Sequence, residues 1–126
     1  MTGETLLFFE GAAEGLPIYA LLEERLIAAY PDMTVKVQKT QISFYDGCGF
    51  GCVSRPRKGK GLMVTFGLPF RLQSDRVFAV SEPYPGRWTH HVLAESPEDI
   101  DGELLGWMDM AREFALNKRK HNKKPH

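Results

Sequence analysis

Apolar and polar residues alternate with two different periods along this chain, and the change of period predicts where helices give way to strands. Residues 5–9 form a short apolar run that Gly11 ends, which predicts a single helical turn. After Gly15, apolar residues recur at every fourth position. This spacing predicts an amphipathic helix that ends before Pro31, because the residue before a proline is pushed away from helical angles. The recurring residues are Ile18, Leu22 and Leu26.

The segment 34–45 alternates like a strand, but its alternation changes phase in the middle. Val35 and Val37 share one parity, whereas Ile42 and Phe44 share the other. Because successive side chains of a strand point to opposite faces, one regular strand cannot bury all four residues on the same face. The sequence therefore predicts a bulge, or a break into two strands, within the polar quartet 38–41. At least one side chain of that quartet is expected to turn inward.

Turn signals divide the rest of the central region into short strands. Asp46-Gly47 favours a hairpin with a type I′ turn. A basic loop covers residues 55–61, the breakers 67–69 end the strand that follows it, and a proline-rich turn covers residues 83–86. Consecutive strands and turns of this kind predict an antiparallel meander of about five strands. Beyond residue 45, the predicted strands cover residues 49–54, 62–66, 77–81 and 88–94.

A second long helix is predicted from Pro97 to about Asn117. Ser96 is placed to cap it, and Asp99 stands where the acid of a capping box is expected. The apolar stripe of this helix predicts burial against the sheet of Leu104, Trp107, Met108 and Ala111. Two amphipathic helices and one antiparallel sheet predict an α+β fold with two layers.

The bulk composition fits one globular domain over residues 1–117. The chain has 126 residues, of which 43% are hydrophobic and 25% are charged. No stretch approaches eighteen consecutive apolar residues, and the first four residues lack the basic region of a secretory signal. Two cysteines do not make a disulfide framework. We therefore expect a cytoplasmic protein with no membrane segment.

The net charge of zero conceals an uneven distribution. The last ten residues carry five bases and no acid, so eleven bases remain against sixteen acids in residues 1–116. Such a basic tail, residues 118–126, is expected to be disordered. It is either a solvated chain end or an arm that binds nucleic acid.

Three separated blocks of this sequence resemble an uncharacterised bacterial family, domain-of-unknown-function family 5655. The blocks are VQKTQISFY at 37–45, GLPFR at 67–71, and EPYPGRWTHHV at 82–92 with the capped helix and Trp107 that follow. The family is similar to small YdhG-like domains, whose sheet and flanking helices resemble one half of the TATA-binding fold. The resemblance implies this architecture and no particular activity.

Cationic and polar residues near the predicted strand ends are the candidates for a ligand site. Long basic side chains around a pocket suit carboxylate or phosphate ligands. Adjacent histidines in a strand point to opposite faces, so they cannot ligate one metal ion together. Cys48 and Cys52 lack the second pair of ligands that zinc requires, and neither a metal nor a cofactor is expected. The candidate ligand-binding residues are Lys39, Gln41, Arg71, Arg87, His90 and His91.

Three functions remain open from the sequence. The first is a binding module for a small anionic ligand or a peptide. The second is a protein associated with nucleic acid through Arg57, Lys58, Lys60 and the tail from Lys118 to Lys124. The third is a small enzyme in which a histidine or Glu82 acts as the acid or base, although no catalytic set of residues is recognisable.

Overall fold

The fold is described by a computed structural model over residues 2–57 and 60–123, with the backbone alone over residues 119–123. Two helices precede the sheet, as the apolar spacing predicted. Helix α1 spans Gly3–Phe8 and helix α2 spans Gly15–Ala29. The predicted stripe of α2 is buried, with Ile18, Leu22 and Leu26 in the core.

Six strands follow, and the predicted change of phase is a break between two of them. Strands β1 and β2 form a hairpin in which Val37 pairs with Ile42, and Gln38 N–H donates to the Gln41 carbonyl over 2.8 Å. Gln41 is the half-buried member of the quartet 38–41. The strands are β1 Thr34–Val37, β2 Ile42–Tyr45, β3 Gly49–Ser54, β4 Leu62–Leu68, β5 Val77–Tyr84 and β6 Arg87–Ala94.

The strand order departs from a simple meander at its end. All neighbours are antiparallel, but the order is β1-β2-β3-β4-β6-β5, so β6 lies between β4 and β5. The prediction of consecutive neighbours is therefore wrong for β4 and β5. Turn residues between them announce a reversal of the chain, and they do not specify which side of β4 the next strand occupies.

The hairpin after β2 has a three-residue loop and lacks the predicted type I′ turn. That turn needs a positive φ at both central residues. Gly47 has φ 81°, whereas none of the described non-glycine residues, Asp46 included, has a positive φ. Tyr45 pairs with Gly49 across the loop, and the register shifts there because Phe50 is an extra residue in β3.

The C-terminal helix begins later and ends later than predicted. Pro97–Asp99 form a 3-10 turn with the predicted capping box, and helix α3 spans Gly102–Lys123. Asp101 caps α3 by accepting a hydrogen bond from Leu104 N–H over 3.0 Å. The helix thus passes the expected end near residue 117. The side chains of residues 119–123, and the whole of residues 124–126, lie outside the described part of the chain.

The helices and the sheet form two layers, as expected for an α+β fold. Alternate residues of β4 and β6 are buried with Leu104, Met108 and Ala111 of α3, while Trp107 is partly buried against the same core. The intervening residues point to the opposite side of the sheet, because partners in antiparallel strands share a face. We call this side the open face. It carries Cys52, Met63, Thr65, Thr89, His91 and Leu93.

Candidate functional site

A small cavity, which we call the notch, opens where strands β3 and β4 separate. The ladder between these strands comprises three pairs and stops at Cys52↔Thr65. Beyond that pair, the start of β3 and the end of β4 line the two sides of the cavity, and Ala111 and Ala115 of α3 also line it. The short ladder therefore produces an opening through the sheet that reaches the helix layer.

Glycines keep the notch open. A Cβ on Gly51 would lie 3.3 Å from both the methyl group of Met108 and the carbonyl oxygen of Thr65. A Cβ on Gly67 would lie 2.8 Å from Cζ of Arg87, so the guanidinium rests directly on that glycine. The resulting volume is about 190 Å³. That exceeds a single water several-fold and lies below the range of drug-sized sites.

Arg87 is the cation of the notch, and it is half-buried without an acidic partner among the described residues. The other half-buried arginines among the described residues, Arg76 and Arg112, are paired with acids. Arg76 pairs with Asp101 and Glu103, each over 2.9 Å. A half-buried guanidinium without a counter-charge is a ready partner for an anion, because charge-assisted hydrogen bonds are the strong ones.

The acid nearest in sequence to the notch wall is itself compensated. Asp46 follows Tyr45, which lines the notch, and its carboxylate accepts a hydrogen bond from Arg112 Nε over 2.7 Å. Asp46 is therefore paired with Arg112, which also lies 3.4 Å from Glu113, and no ion pair joins Asp46 to Arg87 among the described residues.

Neutral polar side chains complete the rim. Gln41 Nε2 donates to Ser43 Oγ over 2.9 Å, which lays the amide along β2 toward the notch. Thr65 Oγ1 lies 2.9 Å from His91 Nδ1. Burial raises the pKa of the Cys52 thiol above its usual value, and a hydrogen bond with Thr65 lowers it by a smaller amount. The thiol is therefore a protonated wall group at neutral pH, and it is a poor nucleophile.

The six predicted ligand-binding residues do not converge on one pocket. Gln41 and Arg87 share the notch. Lys39 lines a cavity beside α1, Arg71 lines a groove along β5, and His91 lines a hollow on the open face. His90 is fully buried in the core. The three basic residues that were expected to cluster therefore lie in three different cavities: Lys39 beside α1, Arg71 along β5 and Arg87 in the notch.

The sheet register separates Lys39 from Arg87. Lys39 lies in the turn beyond the pair Val37↔Ile42. That pair belongs to a row of paired residues that crosses the sheet to Val92 of β6. Arg87 begins β6, five residues before Val92 and at the opposite end of the strands. Lys39 and Arg87 are therefore separated by at least about 17 Å along the strands, and β2 and β6 are about 14 Å apart across the sheet.

His90 and His91 point to opposite faces, as predicted, and the buried one has a fixed tautomer. His90 Nε2 accepts a hydrogen bond from Leu72 N–H over 3.0 Å, so the neutral ring carries its proton on Nδ1, which is buried without a partner. The ring stacks on Phe66 with centroids 5.5 Å apart. Burial lowers the pKa of His90, and electrostatic interactions with His91 and Arg71 act in the same direction. The nearby carbonyls of residues 88 and 66 oppose this shift, although neither closes a hydrogen bond to Nδ1.

We expect His90 to make the protein less stable as the pH falls below about 6.5, the usual histidine pKa. In that range the histidine of the unfolded chain binds a proton that His90 in the folded chain does not, so protonation favours unfolding. The loss of stability ends when the pH falls below the lowered pKa of His90 in the folded state. One such group changes the free energy of unfolding by at most about 1.4 kcal/mol per pH unit. Urea denaturation of wild type and His90→Gln at several pH values between about 5 and 7.5 measures this pH dependence. An identical pH dependence in the two proteins would contradict this assignment.

Several residues of the notch were not singled out from the sequence. Ser43 and Tyr45 share the strand parity of Gln41, and Thr65 is a polar residue inside the apolar strand β4. These alternations were available as signals. The gap between β3 and β4 was not, because it depends on where pairing between two strands stops.

Neither cysteine is in a disulfide, and the residues that the structure describes contain no cluster of three metal-ligating side chains. Within the same residues, no helix has the length and apolar character needed to cross a membrane. Lys58 and Lys124, two of the bases considered for nucleic-acid binding, lie outside the described residues.

Comparison with known proteins identifies the class. A family model described as "Domain of unknown function (DUF5655)" matches residues 7–115. The chain belongs to this family, as the three sequence blocks indicated. No curated protein and no solved structure matches it significantly. The relationship to YdhG-like domains stays a prediction.

Proposed function

We propose that this protein is a binding module that holds a small ligand through one carboxylate or phosphate group in the notch. The observation that carries the proposal is the half-buried guanidinium of Arg87, which rests on Gly67 and has no acidic partner among the described residues. Arginine offers a planar fork of donors that matches both kinds of anion.

The neutral rim supports an anionic ligand of limited size. Hydroxyl groups of Ser43, Tyr45 and Thr65 and the amide of Gln41 surround the same cavity. These groups can donate to a bound oxyanion and can also accept from the rest of a ligand. A volume of about 190 Å³ suits a few heavy atoms beyond the anionic group.

Binding is favoured over catalysis by the state of the residues considered as nucleophile, acid or base. The pKa of the Cys52 thiol is raised, which leaves it protonated. His90 is buried and uses Nε2 to hold Leu72 N–H. Glu82, the other candidate acid or base, is exposed on β5 and accepts a hydrogen bond from Gly86 N–H over 3.3 Å.

The test is the thermal stabilisation of the full chain by inorganic phosphate and by acetate. A ligand that binds the folded state raises Tm by mass action. We expect the gain to shrink in Arg87→Gln and in Gly67→Ala, because the latter substitution pushes the guanidinium off its resting place. Arg71→Gln is the matched control, since it removes an exposed arginine that lines a different cavity.

Some anion stabilisation is expected in every variant through exclusion of phosphate from the protein surface. The comparison between variants therefore decides the matter. Equal gains in wild type, Arg87→Gln and Arg71→Gln would exclude the notch as an anion site. A loss confined to Arg71→Gln would move the site to the groove along β5.

A further inference from the structure

The open face carries a second concavity, which we call the hollow, with a volume of about 560 Å³. Its floor is apolar, and it is formed by Met63 of β4, Leu93 of β6 and Phe78 of β5. Phe78, the second residue of β5, is 68% exposed, which is unusual for a phenylalanine in a strand. A contiguous apolar lining of this kind is typical of interaction sites.

A bulge places the Phe78 ring at the hollow. Val77 pairs with Val92 and Ala79 pairs with His91, so Phe78 is an extra residue in the edge strand. Bulges re-aim side chains in this way. The ring thereby borders the open face without a partner ring among the described aromatic contacts.

Two arginines form the other border of the hollow. Arg55 and Arg57 are both exposed, and neither has an ion pair among the described residues. The Arg55 guanidinium lies over the ring of Phe8 on α1, 5.0 Å from its centroid, at the border between the hollow and the cavity beside α1. Lys60 follows in the same loop, and residues 55–61 contain no acid. This positive charge lies on a body whose first 116 residues have an excess of acids.

We propose that the hollow binds single-stranded nucleic acid, with one base on Phe78 and the adjacent phosphates on Arg55 and Arg57. An aromatic ring on an open sheet beside basic side chains is the arrangement that stacks unpaired bases and tracks their backbone. The apolar floor of Met63 and Leu93 accommodates the face of a base. The polar residues Ser54 and His91 also line the hollow, where they can form hydrogen bonds with the edge of the base.

Lys118, the first residue of the basic tail, lies away from this site. Lys118 Nζ lies over the ring of Tyr84, 4.1 Å from the centroid, at the hairpin that joins β5 to β6. The arginine loop follows Ser54, at the other end of the sheet, where Ser54 pairs with Met63 and Met63 with Leu93. The hollow and its loop therefore make a site that does not require Lys118.

The test measures binding of the full chain to a fluorescent oligothymidylate of about 15 nucleotides by anisotropy, from low to moderate salt. Loss of one stacked base weakens binding by roughly fivefold to 150-fold, and we expect Phe78→Leu to fall in this range. Arg57→Gln should weaken binding and reduce the slope of log K against log salt by about 0.7. Arg25→Gln removes an exposed cation of α2 and should leave binding unchanged.

The side chains of Phe78, Arg57 and Arg25 are all exposed, so we expect the three variants to keep the urea midpoint of the wild type. An unchanged midpoint shows that a loss of binding is not a loss of folding. The proposal is wrong if the wild-type protein does not bind oligothymidylate at low salt. It is also wrong if Phe78→Leu and Arg57→Gln bind oligothymidylate as tightly as Arg25→Gln does. Competition by polyglutamate as strong as that by unlabelled oligothymidylate would reassign the site to acidic polypeptides. Competition by thymidine monophosphate at equal nucleotide concentration would reassign it to free nucleotides.

Discussion

Replacing Phe44 by alanine should lower the free energy of unfolding by about 3–5 kcal/mol, the range for truncating a buried phenylalanine. Phe44 has no solvent exposure and packs between two aromatic rings. Its centroid lies 6.3 Å from that of Tyr19 on α2 and 6.3 Å from that of Phe50 on β3. The ring thus joins the helix layer to the sheet, and its removal leaves a cavity that neither layer can fill alone.

Phe78→Ala is the matched control for Phe44→Ala, because it makes the same chemical change at an exposed position. We expect it to change the free energy of unfolding by no more than about 0.5 kcal/mol. Urea denaturation of both variants gives the two values. Equal losses at the two positions would contradict the assignment of the core face and the open face.

Gly61→Ala should cost at least about 2 kcal/mol, because the substitution combines backbone strain with a collision. Gly61 has φ 111°, a conformation that residues with a Cβ rarely adopt. The new Cβ would overlap the carbonyl oxygen of Ala94, and that residue pairs with Leu62 at the start of β4. The central pair of strands must therefore move apart to accept the change.

Gly106→Ala makes the same substitution on α3, where a Cβ meets nothing within 4 Å. We expect it to stabilise the protein by about 0.5–1 kcal/mol, since alanine loses less conformational entropy than glycine in a helix. Denaturant midpoints of the two variants should move in opposite directions. A shift of the same sign in both would mean that local helix propensity, or the strain at Gly61, has been misjudged.

Local patterns predicted most of the elements of this fold, because each depends on neighbouring residues. The opposite parities of Val37 and Ile42 identified the break between β1 and β2, and Ser96 with Pro97 identified the turn before α3. The position of β6 between β4 and β5 could not be predicted in this way. That order depends on packing between segments that are distant in the chain, and turn residues do not specify such packing.

The candidate site was predicted in part, for the same reason. Gln41 and Arg87 were identified by residue type, and the structure brings them to one notch. Lys39 and Arg71 have the same chemistry, but the register sends them to other cavities. The notch itself exists because pairing between β3 and β4 stops at Cys52↔Thr65, and no local pattern announces where a ladder ends.

The most direct test of the proposed function follows the backbone amide signals of glycines by NMR while inorganic phosphate is added to the full chain. If Arg87 binds an anion in the notch, the signals of Gly51 and Gly67 should shift and saturate together, and Arg87→Gln should abolish the effect. Gly102 and Gly106 on α3 provide the internal reference, since they do not line the notch. Signals of Gly51 and Gly67 that stay in place, or that shift equally in Arg87→Gln, would contradict a ligand site in the notch.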